Sequence, residues 1–572
     1  MTTRTLFAAV LAFGLVACGA DGPGEGAIGV VATALKSTCE TGTAPQAAVD
    51  LVQVLVTGAA RDTGKTVILA EGSAKITAAT QDVSLGSVPA GLDNVVTVLG
   101  FTPGQDTSKD APAWFGRRRE VAVAQDRTTA VEMVLTRYGA FTCVGAPQTY
   151  TQRAFPASVA LGDGRVLITG GFTTSTDNGD GSFALGGAAK NAYIYDPAKG
   201  EVTEVGAMTA ARAGHAMVYL PLAGGEKVLV FGGTTKMTLK AGDFPFQVDT
   251  ADSLNSYEIF DLATSTFSEA GVDHSGNVKQ MALRRVFPTV SRLFDNTVLI
   301  TGGGKWPLDA ANYNTAEMWA PYGDKDAAGV ASGGLLSLQN SLVLNRQHNG
   351  AAMAKLEDTS QGLTRTLVVG GTTEADAVVE IFTQSSKQEA GASGAFRARS
   401  VGGLPLLFFP TLTPLSETSN GSKQFLVAGG AVYQNAALTA PQPKAWVLTI
   451  DSADVVTAEA IDAPCAARFF HKTAGSFEAD SAVLLGGYMD FNGVANGGAC
   501  AFDFATKTFA TPTAGQAEFF ARAGHSVERL IDDTLLVVGG LVDAPGLSDG
   551  TQGLLELYAP PNLKTNLAPT AQ

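Results

Sequence analysis

The chain has 572 residues, 45% of them hydrophobic and only 16% charged, which is ample for a large core and excludes a disordered protein. Its 39 basic and 54 acidic residues give a net charge of −15, so a phosphate backbone is repelled and nucleic acid is excluded as the expected partner. The 66 glycines, set among so few charges, suit short strands joined by many turns.

Met1-Thr-Thr-Arg4 precedes an apolar run from Leu6 to Val16, too short for a membrane-spanning helix of roughly 20 residues but laid out like an export signal. Leu15-Val16-Ala17-Cys18 resembles the lipobox of bacterial lipoproteins. The resemblance implies cleavage before Cys18 and acylation of both its sulfur and its new amino group, a multi-chain anchor that holds where a single chain would not. Gly19 stands where inner-membrane retention would place Asp, which implies the outer membrane. The alternative is an ordinary secretory peptide with a chance cysteine. Residues 1–17 are read as the signal peptide and 18–45 as the lipidated Cys18 with a Gly- and Ala-rich tether.

Residues 46–137 carry short apolar or alternating runs, Leu51–Val56, Val67–Ala70, Val83–Leu85, Val95–Phe101, Val121–Ala124 and Thr129–Leu135, with Val88-Pro-Ala-Gly91 as a turn. They predict a small β-sandwich, which resembles immunoglobulin-like or transthyretin-like stalk domains. Gly64-Lys65-Thr66 hints at a phosphate loop, but Ala59 stands where the first Gly is needed and a strand rather than a helix follows, so nucleotide binding is rejected.

From here an internal repeat dominates. A short apolar strand ends in Gly-Gly seven times, at Gly170-Gly171, Gly232-Gly233, Gly302-Gly303, Gly370-Gly371, Gly429-Gly430, Gly486-Gly487 and Gly539-Gly540. Arg153, Arg212, Arg285, Arg346, Arg468 and Arg522 precede their doublets by 17 to 24 residues, and the fifth copy has Leu407 in that place. Three clear copies continue with an Asp-headed turn and a returning strand, at Asp196–Val202, Asp261–Phe267 and Asp503–Phe509. Each unit reads as a four-stranded sheet that must stack radially on its neighbours to bury both faces. In this register the chain resembles the kelch-repeat β-propellers, a group that includes the central domain of galactose oxidase, although Phe267 and Phe509 replace the usual Trp. The expected fold is all-β: a seven-bladed propeller over 138–560, followed by a tail over 561–572. Strand-like residues 139–144 are expected to complete the last blade and remove its open edge.

Besides Cys18, the cysteines are Cys39, Cys143, Cys465 and Cys500, which in an exported chain suggest two disulfides with three possible pairings. Proximity favours Cys465 with Cys500, leaving Cys39 with Cys143. His215, His471 and His525 share one repeat position, with His348 within a residue of it. A recurring hydrogen bond explains them, and convergence on the propeller axis is the alternative. The Cys–Tyr radical pair of galactose oxidase finds no counterpart, so no catalytic residue, metal or cofactor is expected. Asp177-Asn-Gly-Asp180-Gly181 has a superficial likeness to a calcium loop; a solvated turn is the favoured reading and calcium binding the alternative.

Long b–c connections gather on one face of such a fold and carry the candidate contact residues Phe244, Phe246, Trp306, Tyr313, Tyr433, Tyr488 and Phe491. The expected function is therefore a lipid-anchored scaffold that binds a protein or glycan through this rim. The alternative is an enzyme of sugar oxidase, epimerase or lyase class that uses the propeller axis.

Overall fold

Alternation of apolar and small residues begins earlier than the expected tether allows. The computed structural model describes residues 24–560 apart from 36, 38–48, 60–65, 77–81, 241–246, 249–250, 273–274, 305–314, 326–330, 337–341, 344–347, 373–377, 387–392, 435–436, 477–479, 492–497, 512–520 and 543–554. Among the described residues there is no α-helix, and the strands are joined by turns apart from one 3-10 turn at Pro464–Ala466. Strands β1 (Glu25–Ala34), β2 (Leu51–Ala59), β3 (Thr66–Lys75), β4 (Asp82–Pro89), β5 (Gly91–Phe101), β6 (Trp114–Val123) and β7 (Thr128–Arg137) form one sheet in the order β3-β2-β5-β6-β7-β1-β4.

Two expectations are corrected here. Residues assigned to the tether form β1, which pairs parallel with β7 and antiparallel with β4. The reason is period-two burial: Ile28 and Val30 enter the core beside Val54, Val98 and Met133. The expected sandwich of separate sheets is instead a single seven-stranded sheet, nearly closed on itself. Its β6–β7 ladder holds only Trp114–Arg137 and Phe115–Thr136, so β7 leaves β6 there and continues along β1, folding the sheet over one core.

Among the described residues the repeat region makes six sheets of four strands and one of five, with two small three-stranded sheets beside them. The first has the strands Ala157–Ala160, Val166–Thr169, Ala192–Asp196 and Glu201–Val205, each antiparallel to the next. The inner strands of the others are Ala216–Leu220, Pro288–Arg292, Ala352–Asp358, Thr411–Leu415, Lys472–Gly475 and Ser526–Arg529. Each inner strand touches the next, and the last touches the first, giving an all-β, propeller-like ring about a common axis. Strand β8 (Phe141–Cys143) pairs with Leu555–Tyr558 as the outer strand of the last sheet, and Phe141 stacks on Tyr558 at 4.2 Å. Early and late chain are thereby stitched together, and the last sheet has no open outer edge there.

The buried arginines hold each sheet to its own doublet. Arg153, Arg212, Arg285, Arg468 and Arg522 each donate an Nη1 hydrogen to the carbonyl of the first Gly of their doublet, at 3.1, 2.7, 2.5, 3.0 and 3.0 Å. The second Gly then donates its N–H to the backbone carbonyl of the next sheet's arginine: Gly171 to Arg212, Gly233 to Arg285, Gly430 to Arg468, Gly487 to Arg522, and Gly540 back to Arg153. Where the fifth copy has Leu407, Gly371 still donates to its carbonyl at 2.9 Å. The side chain is dispensable there because the inter-sheet bond uses only backbone.

A third strand answers each arginine. Glu258, Glu317 and Glu556 pair with Arg212, Arg285 and Arg522, and in the fourth sheet Glu380 meets His348. In the first sheet Arg153 lies over the rings of Tyr150 and Tyr193. In the sixth, Cys500 occupies this place and is disulfide-bonded to Cys465. Cys143 is also disulfide-bonded, while Cys39 lies outside the described residues.

Removing one partner of such a buried pair strands the other without water. Glu258→Leu leaves the buried Arg212 guanidinium uncompensated and is expected to cost about 3–5 kcal/mol, measured by urea denaturation. Joint replacement of Arg212 and Glu258 by apolar residues is expected to recover part of that loss, because no buried charge remains.

Candidate active site

Just before each inner strand, the backbone of every repeat turns through the left-handed region. Phe155, Gly214, Phe287, Gly350, Phe409, Phe470 and Gly524 have φ between 52° and 63°. For Phe this conformation is costly, and it persists only where the surroundings enforce it. Here a ring of backbone hydrogen bonds does so: Gly214 donates to Phe155, Phe287 to Gly214, Phe409 to Gly350, Gly524 to Phe470 and Phe155 to Gly524. The four phenyl rings meet on the axis, with centroids 4.5–5.9 Å apart, and the three glycines make room for them. A Cβ on Gly524 would lie 2.5 Å from the Phe155 ring.

This aromatic plug is continuous with the apolar cluster under the doublets, which includes Phe172, Leu185, Phe469, Tyr488 and Leu541. It therefore closes the axis on the b–c side. On the other side of the plug lies a cavity of about 410 Å³, walled by all seven inner strands. Its polar lining includes Ser158, Thr289, Thr411, Thr473, Lys472 and Glu528.

Lys472 and Glu528 stand on adjacent inner strands. Lys472 is exposed to the cavity, and its amine makes no hydrogen bond or ion pair among the described residues. Enclosure by protein lowers its pKa below the usual 10.5, against the pull of Glu528. Burial raises the Glu528 carboxyl above 4.5, opposed by the Ser158 hydroxyl, which donates to it at 2.9 Å, and by Lys472. An amine pushed towards neutrality thus faces a carboxyl pushed towards protonation, the pairing that moves protons near neutral pH.

The repeat-position histidines border this cavity but serve the packing between sheets. His215 Nε2 meets Thr169 Oγ1 at 2.7 Å, and His471 Nε2 meets Thr411 Oγ1 at 3.0 Å. The rings of His215, His471 and His525 fill the spaces over Gly170, Gly429 and Gly486, where a Cβ would come within 2.3–2.6 Å of them. Burial, reinforced by the neighbouring arginines, holds all three well below 6.5, so they are neutral imidazoles at pH 7.

Two of the expected rim residues are corrected. Tyr488 is only 4% exposed and, with Phe491, packs on Phe469 at 5.8 and 5.5 Å, because both fill the core below the doublets. Phe244, Phe246, Trp306, Tyr313 and the Tyr433 side chain lie outside the described residues. In the suspected calcium turn, Asp177 accepts from the Gly179 N–H and Asp180 from the Ser182 N–H and hydroxyl, so these oxygens cap the turn between two strands.

No protein-family model matches the chain, and no curated protein does. Among solved structures, the chain is similar to one described as a novel fungal alcohol oxidase with catalytic diversity among the AA5 family, in complex with copper. The two are 12% identical over 74% of this chain and 76% of that one, with a TM-score of 0.49. That neighbour is an enzyme with a bound metal. It overturns the expected binding scaffold and the expected lack of a cofactor, and both expectations are withdrawn.

The described side chains do not fit a copper site. No three of His, Cys, Asp or Glu converge among them, Cys143, Cys465 and Cys500 are in disulfides, and His215, His471 and His525 each have their own seat between sheets.

The plug and the cavity residues escaped the sequence reading, although both leave traces there. Arg153-Ala-Phe-Pro156, Arg212-Ala-Gly-His215, Arg285-Val-Phe-Pro288 and Arg522-Ala-Gly-His525 display the Phe or Gly position openly. Lys472 follows a histidine where other copies have Ala157, Ala216, Thr289, Thr411 and Ser526. A charge at a repeat place otherwise small and neutral is the signal. Gly524→Ala is expected to push Phe155 out of the plug and to lower stability by about 1–3 kcal/mol, seen as a reduced Tm in calorimetry.

Proposed function

We propose that this chain is an enzyme that moves a proton on a small polar substrate held in the axial cavity of a seven-bladed, kelch-type propeller. The Arg and Gly-Gly register and the seven cyclically touching sheets support that propeller reading. The observation that carries the function is the cavity itself: Lys472 and Glu528 line one space above an aromatic floor, with opposed shifts in their acidity. In this reading Lys472 takes a proton from a carbon next to a carbonyl or carboxylate, and Glu528 donates one to the oxygen or leaving group. That is the chemistry of an epimerase or a lyase. The Thr289, Thr411, Thr473 and Ser158 hydroxyls supply hydrogen bonds that orient a polyol or hydroxy acid.

Deuterium exchange into such substrates, followed by NMR in heavy water, tests the assignment. Lys472→Met and Glu528→Gln are each expected to slow exchange by about 10²–10⁴-fold with little change in Tm. Equal exchange in both variants and the unaltered chain would refute it. Because Glu528 is raised and Lys472 lowered, kcat/KM is expected to be bell-shaped, with its limbs drawn inward from 4.5 and 10.5. His471, His525, Arg468 and Arg522 also act electrostatically on this pocket, and the histidines are held well below 6.5.

We further propose that the chain is held in the bacterial outer membrane through Cys18, on the strength of Leu15-Val16-Ala17-Cys18 and Gly19. Cys18→Ala is expected to abolish labelling by a fatty-acid analogue and leave an unprocessed form. Persistent label in the variant would count against the anchor.

A further inference from the structure

The cavity contains more than an acid and a base. Lys472 lies on the inner strand Lys472–Gly475, directly after the plug residue Phe470 and the interlocked His471. Its backbone is fixed on both sides. Lys472 pairs with Leu485 in the neighbouring strand, and Thr473 Oγ1 meets Thr411 Oγ1 at 2.6 Å. A flexible amine is thus mounted on a rigid strand and directed into a walled space, with no partner within hydrogen-bonding reach among the described residues. Lys227, Lys355 and Lys423 are paired with Asp261, Asp358 and Glu417, whereas the exposed Lys190 and Lys444 share the lack of a partner but line no such cavity. An unpaired amine on the strand next to that of a carboxyl, in a cavity floored by four phenyl rings, has the elements of a covalent carbonyl trap.

We propose that Lys472 forms a Schiff base with an aldehyde or ketone substrate in this cavity, with Glu528 as the acid that expels water. The proposal rests on the reading above that the cavity moves the proton next to a carbonyl; it narrows the substrates to carbonyl compounds and, for them, passes the role of base from Lys472 to Glu528. The neutral Nζ attacks the carbonyl carbon, forming a C–N bond as the C=O π pair moves to oxygen, and one N–H proton passes to that oxygen to give a carbinolamine. Glu528 then protonates the hydroxyl, the C–O bond breaks, water leaves, and the nitrogen lone pair closes the C=N bond of a protonated imine. The Glu528 carboxylate so produced is the counterion of the iminium. It is also the base that removes the now acidic proton from the adjacent carbon, giving an enamine. No oxidant or reductant is consumed. Burial favours both the neutral amine and the protonated carboxyl with which the sequence starts.

Reductive trapping tests this directly. The full chain is incubated with glycolaldehyde or pyruvate and sodium cyanoborohydride, then read by intact mass and peptide mapping. The expected result is a single reduced adduct that forms on Lys472 at least about tenfold faster than on any other lysine, as an unpaired amine held towards neutrality in the cavity should react. Glu528→Gln is expected to slow trapping at Lys472 without redirecting it, and Lys472→Met to leave only slow surface labelling. Label spread over the lysines according to exposure, or early labelling undiminished in Lys472→Met, would overturn the proposal. If deuterium exchange collapses in Lys472→Met while Lys472 of the unaltered chain is never trapped, the covalent step is overturned and the proton-transfer reading stands. If both trapping and exchange are absent from Lys472, both readings fall together.

Discussion

The rest of the ring depends on the hydrogen bonds that converge on each glycine doublet. One buried guanidinium ties the start of an inner strand to the end of its neighbour, and the second glycine passes the connection to the next sheet. Neither contact is large alone, since a net hydrogen bond contributes about 0.5–1.5 kcal/mol, or about 1.5–3 when one partner is charged. Their arrangement matters more. Six junctions carry this backbone bond among the described residues, from Gly171, Gly233, Gly371, Gly430, Gly487 and Gly540, and the bond from Gly540 to Arg153 joins the last sheet to the first. A ring so connected has few places where one sheet can part from its neighbours without stranding buried polar groups.

That closure explains why the partner of the arginine varies while the clamp does not. A carboxylate, a pair of tyrosine rings or a disulfide can stand on the third strand, because each solves the same problem of a cation or polar group enclosed by protein. The fifth repeat shows the limit of this freedom. Leu407 carries no charge, Trp446 replaces the acidic residue and bonds to the Gly403 carbonyl, and the inter-sheet bond to Gly371 remains. Side chains tune the clamp; the backbone defines it.

The same closure creates the site. Seven inner strands brought around one axis cannot all fill it with side chains, and the Phe and Gly ring seals one end while leaving about 410 Å³ beyond it. Backbone strain at four phenylalanines is sustained by the surrounding hydrogen bonds, as befits a functional cavity. The plug also separates that cavity from the b–c loops, so ligand binding at the rim and chemistry on the axis are distinct questions. Tyr488 and Phe491, which look like contact residues in the sequence, are drawn under the loops because the cluster below the doublets needs aromatic volume.

The sequence alone determined the repeat, its buried strands and its closing strand, because period, Gly-Gly and Arg are local signals that recur at a fixed register. Residues 139–144 were legible as the missing outer strand because their spacing to Arg153 falls within that of complete repeats. The first strand of the N-terminal sheet was not, since Glu25–Ala34 is rich in Gly and Ala and acquires a strand's identity only by pairing with β7, about a hundred residues away. The histidines were visible as a repeat feature, but their seats over the doublet glycines depend on the neighbouring sheet. Lys472 and Glu528 are separated by more than fifty residues and belong to different repeats. Only the packing of one sheet on the next brings their strands side by side, and only enclosure by the completed ring shifts their acidities towards each other. Burial is a property of the assembled fold and not of the residue, so the tertiary structure alone decided where chemistry becomes possible.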